Sequence, residues 1–102
     1  MSTRGKNLVK HLNEELGSLS FGGFLRGARA SKDLSQSAMA KMLGLSRSTL
    51  CDIEKGRHLA SPALAAKIAR KCGLAVKMAV QAALQDQVNK AKLKMRVEVL
   101  TA

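Results

Sequence analysis

Residues 36–57, with the sequence QSAMAKMLGLSRSTLCDIEKGR, constrain the fold of this chain more than any other segment. Ser35 and Ser46 each precede a short helical pattern, and serine is a preferred N-cap because its hydroxyl accepts a hydrogen bond from a first-turn N–H. Gly44 lies between the two patterns, where a residue that tolerates positive φ ends the first helix. Ala40 is small, as closely crossing helices require. The segment predicts two short helices joined by a tight turn.

Each of these two helices has one apolar face and one polar face. The residues with the spacing of a buried face are Leu43, Leu45, Leu50 and Ile53. The opposite face of the second helix carries Arg47, Ser48, Cys51 and Asp52. Such side chains can donate to or accept from base edges and phosphates, so this face is a candidate site for nucleic acid.

The same segment resembles the Cro/cI-type (Xre) helix-turn-helix family of phage repressors and bacterial regulators. The resemblance rests on the Ser35-Gln36 start, Ala40, Gly44, Leu50, Ile53 and the Glu54-Lys55-Gly56 ending. It extends more weakly back to Phe21 and forward to Gly73, about half of the chain. The alternative is an ordinary helical hairpin in an unrelated all-α domain. The resemblance implies an all-α, five-helix, lambda-repressor-like domain.

The charge of the chain indicates a polyanionic partner. Eighteen basic and seven acidic residues give a formal net charge of +11, which suits nucleic acid first and an anionic membrane second. A merely soluble basic protein is less favoured, because Arg47, Lys55 and Arg57 lie in the motif itself. With no Trp or Tyr and only two Phe, the chain lacks the stacking platforms of RNA-binding and single-strand-binding folds. Double-stranded DNA is therefore the expected partner.

Residues 1–19 lie outside the resemblance and predict an extra N-terminal helix. Leucines recur every four residues from Leu8 to Leu16, and Gly17 follows as a helix end. The segment is either a packing helix or an arm that orders on binding, and packing is the favoured interpretation.

Residues 20–89 form the helix-turn-helix domain in this interpretation. Ser61 and Pro62 begin its fourth helix, since a cap followed by proline suits a helix start. A fifth helix has apolar residues at four-residue spacing, namely Val76, Val80, Leu84 and Val88. Because this helix is longer than such a domain usually needs, we expect Val80 and Leu84 to contribute to a dimer interface.

Residues 90–102 contain a segment, Leu93–Val99, that alternates strictly between apolar and charged residues. This period predicts a short C-terminal β-strand. A lone strand cannot satisfy its backbone groups within the chain, so we expect it to pair with its own copy in a homodimer. The alternative is a frayed basic tail.

The side chains of this strand favour one antiparallel register. An axis at Val97 sets Arg96 opposite Glu98 of a second copy and Met95 opposite Val99, and both pairs are favourable. An axis at Arg96 would set that side chain against its own copy. An axis between residues would put Met95 opposite a charged neighbour.

The family resemblance implies a set of DNA contacts. The helix Ser46–Lys55 would enter the major groove by its N-terminal half. Arg47 would contact guanine O6 and N7, and Asp52 would accept from a cytosine amino group. The residues assigned to base readout are Arg47, Ser48, Cys51 and Asp52. Those assigned to phosphate are Gln36, Ser46, Thr49, Lys55, Arg57, His58 and Ser61.

Two further features of the resemblance concern individual side chains. In the resembling repressors a first-helix Arg pairs with the Glu of the motif ending, which implies a buried pair between Arg29 and Glu54. Departures from the family occur at Cys51 and Asp52, where longer polar side chains are commoner, so the base preferences stay open.

The sequence predicts no enzyme, cofactor or metal site. His11, His58, Cys51 and Cys72 have no metal-ligand spacing, and no catalytic pattern accompanies them. Cys72 is expected in the core, and a redox role for Cys51 is less favoured than a passive one. The absence of a membrane-spanning segment and of a signal-peptide h-region predicts a cytoplasmic protein with reduced cysteines and no membrane partner.

Two functions remain open at this point. The first is a sequence-specific double-stranded DNA-binding transcriptional regulator, foremost a repressor that binds an inverted repeat as a homodimer. The second is an antitoxin that binds a toxin protein and autoregulates its operon, since small proteins resembling this family include many antitoxins. A toxin would dock on residues 1–19 or 74–102, and a neighbouring toxin gene would favour this alternative.

Overall fold

The computed structural model describes residues 20–101, and these form five α-helices. The helices are α1 (Phe21–Ser31), α2 (Gln36–Leu43), α3 (Arg47–Glu54), α4 (Pro62–Cys72) and α5 (Val76–Lys90). Helix α3 packs on α1 and α2, α5 packs on α4 and α1, and α2 also contacts α4. The all-α, five-helix prediction is confirmed, whereas the predicted N-terminal helix of residues 1–19 lies outside the described residues.

Serine side chains begin the first four helices. In each case the hydroxyl oxygen accepts a hydrogen bond from the backbone N–H three residues later. The four capping residues are Ser20, Ser35, Ser46 and Ser61. Helices α2 and α4 end at Gly44 and Gly73, which have φ values of 71° and 69°. The serine caps of α2, α3 and α4 and the end of α2 at Gly44 are therefore where the sequence signals predict them.

The core is made of large side chains from α1 to α4 and small side chains where α4 meets α5. The largest fully buried residues are Phe21, Leu25, Met39, Leu50, Ile53 and Ile68. Between α4 and α5 the fully buried residues are Ala65, Ala69, Ala79 and Ala83. Because alanines line this contact, the two backbones approach closely, and the larger Val80 and Leu84 lie beside the contact and are only partly buried. The four residues of the predicted apolar stripe, Val76, Val80, Leu84 and Val88, are all partly buried, and the contribution of Val80 and Leu84 to a dimer interface stays a prediction.

Gly22 marks the tightest contact between α1 and α3. A Cβ atom at this position would overlap the carbonyl oxygen of Ile53 and lie 2.7 Å from that of Glu54. Gly27, one and a half turns later on the same helix, has nothing within 4 Å of the equivalent point. Only Gly22 therefore has a packing role, since its missing side chain lets α1 lie against the C-terminal end of α3.

The C-terminal tail departs from the prediction. Within the described part of the chain, residues 93–101 form no β-strand. Lys92 has a φ of 59° and reverses the chain, and the tail then runs back beside α5. A single chain offers this segment no second strand, so glutamine side chains of α5 bond to its backbone instead. The strand prediction is corrected accordingly for the single chain.

Candidate nucleic-acid interface

The turn between α2 and α3 fixes the orientation of α3. Leu45 N–H donates to the carbonyl of Ala40 over 2.8 Å, and Gly44 N–H donates to that of Lys41 over 3.2 Å. Ala40 is buried where the two helices cross. These bonds satisfy the last carbonyl groups of α2 and set the direction in which the chain enters α3.

Helix α3 has one buried face and one accessible face. Leu50 and Ile53 are buried against the core. Arg47 and Ser48 are exposed, and Cys51 and Asp52 are partly exposed. The four residues predicted for base readout therefore all have surface that a ligand can reach.

The hydroxyl groups at the start of α3 are linked to each other. Ser46 Oγ accepts the backbone N–H of Thr49 over 3.0 Å and donates to Thr49 Oγ1 over 2.8 Å. Both residues were predicted to contact phosphate. The remaining donor and acceptor capacity of this pair lies at the N-terminal end of α3, where the helix dipole favours an anion.

The structure brings together a predicted base-reading residue and a predicted phosphate-binding residue. Arg57 Nη1 lies 3.6 Å from Asp52 Oδ1, and the side chains of Arg57 and Asp52 are 66% and 45% exposed. The backbone N–H groups of Arg57 and His58 donate to the carbonyl of Asp52. An exposed ion pair of this length contributes little to stability, so both side chains remain available to DNA.

The loop from the end of α3 to the start of α4 carries four exposed residues with predicted phosphate contacts, namely Lys55, Arg57, His58 and Ser61. Ser61 Oγ already accepts the N–H of Leu64 as the cap of α4. Basic side chains and an open helix start therefore lie next to one another on this edge.

Gln36 has a role that sequence reasoning missed. It opens α2, where it was predicted to contact phosphate, but its Nε2 donates to Glu54 Oε1 over 3.2 Å. It is half-buried, and the amide has a second N–H left over. Gln36 thus connects the start of α2 to the end of α3.

Arg29 and Glu54 form the predicted ion pair. Arg29 Nε lies 2.8 Å from Glu54 Oε2, and Nη2 donates to Oε1 over 3.1 Å, so the pair is bidentate. Arg29 Nη1 also donates to the carbonyl of Leu34. The Glu54 side chain is 2% exposed and that of Arg29 is 21% exposed. Hydrogen bonding to the Glu54 carboxylate raises the pKa of Arg29 above its ordinary value.

Asp86 is a second structural residue that the sequence did not reveal. Its Oδ2 accepts the N–H of Phe21 over 3.0 Å, so a side chain of α5 caps the first residue of α1. Partial burial raises the pKa of this carboxyl group, and the bond from Phe21 opposes that rise. No local sequence signal indicates the start of α1 as the partner of Asp86.

The two described cysteines differ in their surroundings. Cys72 is buried at the end of α4, and burial raises the pKa of its thiol. Cys51 is partly exposed on α3. Cys72 therefore packs as a small apolar side chain, as predicted, while Cys51 belongs to the accessible face.

Comparisons with known proteins match a family model and a curated phage protein. A family model described as a helix-turn-helix domain matches residues 20–80, which is more than half of the chain. Over 48 residues the chain is 46% identical to the ImmF control region 10 kDa protein of Bacillus phage phi105. That alignment covers 47% of this chain and 53% of the phage protein, so the chain spans about half the length of the curated relative it matches. No solved structure matches the chain.

The helices also bear on the membrane question. Within residues 20–101, no helix combines the length and apolar character needed to cross a bilayer.

The family match, the turn between α2 and α3 and the accessible polar face of α3 all concern the same residues. The chain belongs to the helix-turn-helix family of DNA-binding proteins, of the Cro/cI (Xre) type.

Proposed function

We propose that this protein is a sequence-specific transcriptional regulator that binds double-stranded DNA with α3 in the major groove. The observation that carries the proposal is the two-sided character of α3. Leu50 and Ile53 fix one face in the core, while Arg47 and Ser48 are exposed on the other. A helix held in this way presents short polar side chains at a constant orientation, as base readout requires.

Base readout is assigned to the accessible face of α3. Arg47 has the length and the paired donors to bond guanine O6 and N7. Ser48 and Cys51 contact neighbouring base edges in this proposal. Asp52 accepts from a cytosine amino group, with Arg57 beside it to offset its repulsion of nearby phosphates.

Phosphate contacts are assigned to the residues that flank α3. At the α2 and α3 starts these are Gln36, Ser46 and Thr49, and after α3 they are Lys55, Arg57, His58 and Ser61. Gln36 contributes its second amide N–H, since the first is bonded to Glu54. The net charge of +11 supplies the long-range attraction to the duplex.

The mode of regulation that we propose is repression by occupation of a promoter. The protein would act as a homodimer, with two copies of α3 in successive major-groove faces about 34 Å apart and an inverted-repeat operator. The name of the phage relative, a control region protein, agrees with a regulatory role. Catalysis has no part in this proposal.

Selection from a pool of random duplexes tests the proposal. The purified full chain should enrich one inverted repeat, and competition with unrelated duplex should then measure the preference in a stated salt concentration. Failure to enrich any sequence, with equal affinity for all duplexes, would contradict sequence-specific binding.

An antitoxin is the second candidate function, and the exposed apolar side chains of the tail favour it. Met95 is 64% exposed and Leu100 is 77% exposed, which is unusual for side chains of this size. A toxin protein that covers them would account for that exposure. Co-expression with the product of a neighbouring gene and co-purification of an equimolar complex would support this candidate.

A further inference from the structure

The attachment of the C-terminal tail to α5 suggests an interaction surface. Gln81 and Gln85 lie four residues apart and therefore on one face of the helix. Val97 N–H donates to Gln85 Oε1 over 2.7 Å, and Val99 N–H donates to Gln81 Oε1 over 3.1 Å. The tail runs antiparallel to α5, since the later tail residue bonds to the earlier glutamine.

The spacing of these bonds shows that the tail is extended. Four helical residues advance about 6 Å along the axis, and two residues of an extended chain advance about 6.6 Å. Gln81 and Gln85 thus match Val97 and Val99 in pitch. A helical or coiled tail would not place alternate N–H groups at that distance along one side.

The side-chain amide of Gln85 forms hydrogen bonds with the tail like those of a neighbouring strand. Its Oε1 accepts from Val97, and its Nε2 donates to the carbonyl of Met95 over 2.8 Å. The side-chain amide therefore bonds two residues that flank Arg96, as a peptide group of an adjacent strand does. Nε2 also donates to Asn89 Oδ1, which holds the amide in this orientation.

The opposite edge of the tail is open in the described structure. In an extended chain, successive backbone N–H and C=O groups point to opposite edges, so those of even-numbered residues point away from α5. Arg96 and Glu98 are exposed, and their backbone N–H groups have no hydrogen-bond partner among residues 20–101. An unpaired edge of this kind is a template for another strand.

We infer that Gln81 and Gln85 hold the tail as a preformed edge strand, and that the same edge of a second copy pairs with it. This inference deepens the homodimer of the proposed function and rests on it. Because the glutamines occupy one edge of the tail, only registers with the axis at a residue remain. An axis between residues would pair an even with an odd residue and would need N–H groups that the glutamines already bind.

Charge selects one register among those that remain. With the axis at Val97, Arg96 and Glu98 of one copy exchange backbone bonds with Glu98 and Arg96 of the other, so opposite charges face each other twice. Met95 then lies opposite Val99. With the axis at Arg96, that arginine faces its own copy and Lys94 faces Glu98. The surface is therefore complementary to itself only about Val97.

Removal of the side-chain amides of Gln81 and Gln85 tests the inference. We expect Gln81→Ala combined with Gln85→Ala to raise the dimer dissociation constant on the order of tenfold, because a tail without these bonds must be ordered on pairing. Gln87→Ala is the matched control, since Gln87 is exposed on the same helix and has no bond to the tail. Sedimentation equilibrium measures association, and circular dichroism verifies the helical fold of each variant. A monomeric wild-type chain, or an unchanged constant in the double variant, would overturn the inference.

An exchange of charges tests the register without removing any backbone bond. Arg96→Glu alone and Glu98→Arg alone should each weaken the dimer, because each sets like charges opposite each other. The combined exchange should restore wild-type association about Val97. About Arg96 it would instead leave three like-charged pairs, so failure of the combined variant to recover would refute the register. Because these assays contain no DNA, their outcome is independent of whether α3 binds an operator.

Discussion

Two regions of the molecule, α3 and the C-terminal tail, are held in place by different kinds of bond. Around α3, Glu54 accepts from Arg29 and Gln36 at a position that is almost completely buried. Along α5, the tail is held by partly exposed glutamine amides. Buried charged bonds stabilise the orientation of α3 within the single chain, whereas partly exposed neutral bonds leave the tail close to marginal stability on its own. In the proposed function, α3 is therefore the rigid element that reads DNA, and the tail is the element that becomes fully ordered on pairing.

The largest effect is expected at the buried ion pair. Arg29→Met should lower the free energy of unfolding by about 3–5 kcal/mol, because it leaves the Glu54 carboxylate buried without its partner. Glu54→Gln should cost less, since Arg29 reaches solvent and keeps its bond to the Leu34 carbonyl. Denaturant unfolding of the single and double variants measures the coupling. Small and additive losses would show that the pair does not fix α3.

The contact between α1 and α3 predicts the next largest effect. Gly22→Ala should destabilise the fold by about 1–3 kcal/mol or more, because the added methyl group meets the carbonyl oxygens that end α3. Gly27→Ala is the matched control on the same helix and should stabilise by up to about 1 kcal/mol. Thermal melts of both variants are sufficient. Because the expected effects at the two glycines have opposite signs, the comparison is a strict test of the helix packing.

The tail should contribute far less to the stability of a single chain. Deletion of residues 93–102 should lower the free energy of unfolding by no more than about 1–2 kcal/mol at concentrations where the protein is monomeric, since it removes a few exposed hydrogen bonds. The same deletion should abolish dimerisation. A truncated chain that still dimerises and still binds a palindrome with full affinity would place the interface elsewhere.

The smallest effect concerns the pH dependence of the α1 start. The pKa of Asp86 is raised above its ordinary value of 3.8 in the folded chain. At pH values between the unfolded and the folded pKa, the folded chain therefore binds more protons than the unfolded chain. Its contribution to stability is therefore greatest below the unfolded pKa and declines as pH rises through the folded one. Asp86→Asn should remove this decline and keep the bond from Phe21. The free energies of unfolding of the two proteins, measured across the acidic range, should differ increasingly as the pH rises. A difference that does not change with pH would contradict the assignment.

The features that sequence reasoning found are those with local signals. The serine caps, Gly44 and the apolar spacing of α3 follow from chemistry within one helical turn, and the pair of Arg29 with Glu54 followed from the family resemblance. The features it missed depend on distant segments. The sequence alone does not show whether Gly22 only weakens α1 or allows a close contact with α3, because that depends on where the end of α3 lies.

The α5 region shows the same limit. Four-residue spacing predicted an apolar face on α5, but only the fold shows that Ala79 and Ala83 meet α4 while Val80 and Leu84 stay partly exposed. Alternation in the tail predicted an extended segment, and only the fold shows that Gln85 occupies one of its edges. Periodicity reports that a face or an edge exists, and the neighbouring element decides what covers it.

The central claim is that α3 reads sequence while the flanking basic residues only position the protein. It is tested most directly by the affinities of Arg47→Ala and Arg57→Ala for a selected operator and for random duplex, over a range of salt concentrations. We expect Arg47→Ala to lose about 1–3 kcal/mol on the operator alone and to relax the preference at one base pair. Arg57→Ala should weaken both duplexes alike and reduce the salt slope by about one unit. Equal losses on both duplexes for Arg47→Ala would contradict the claim.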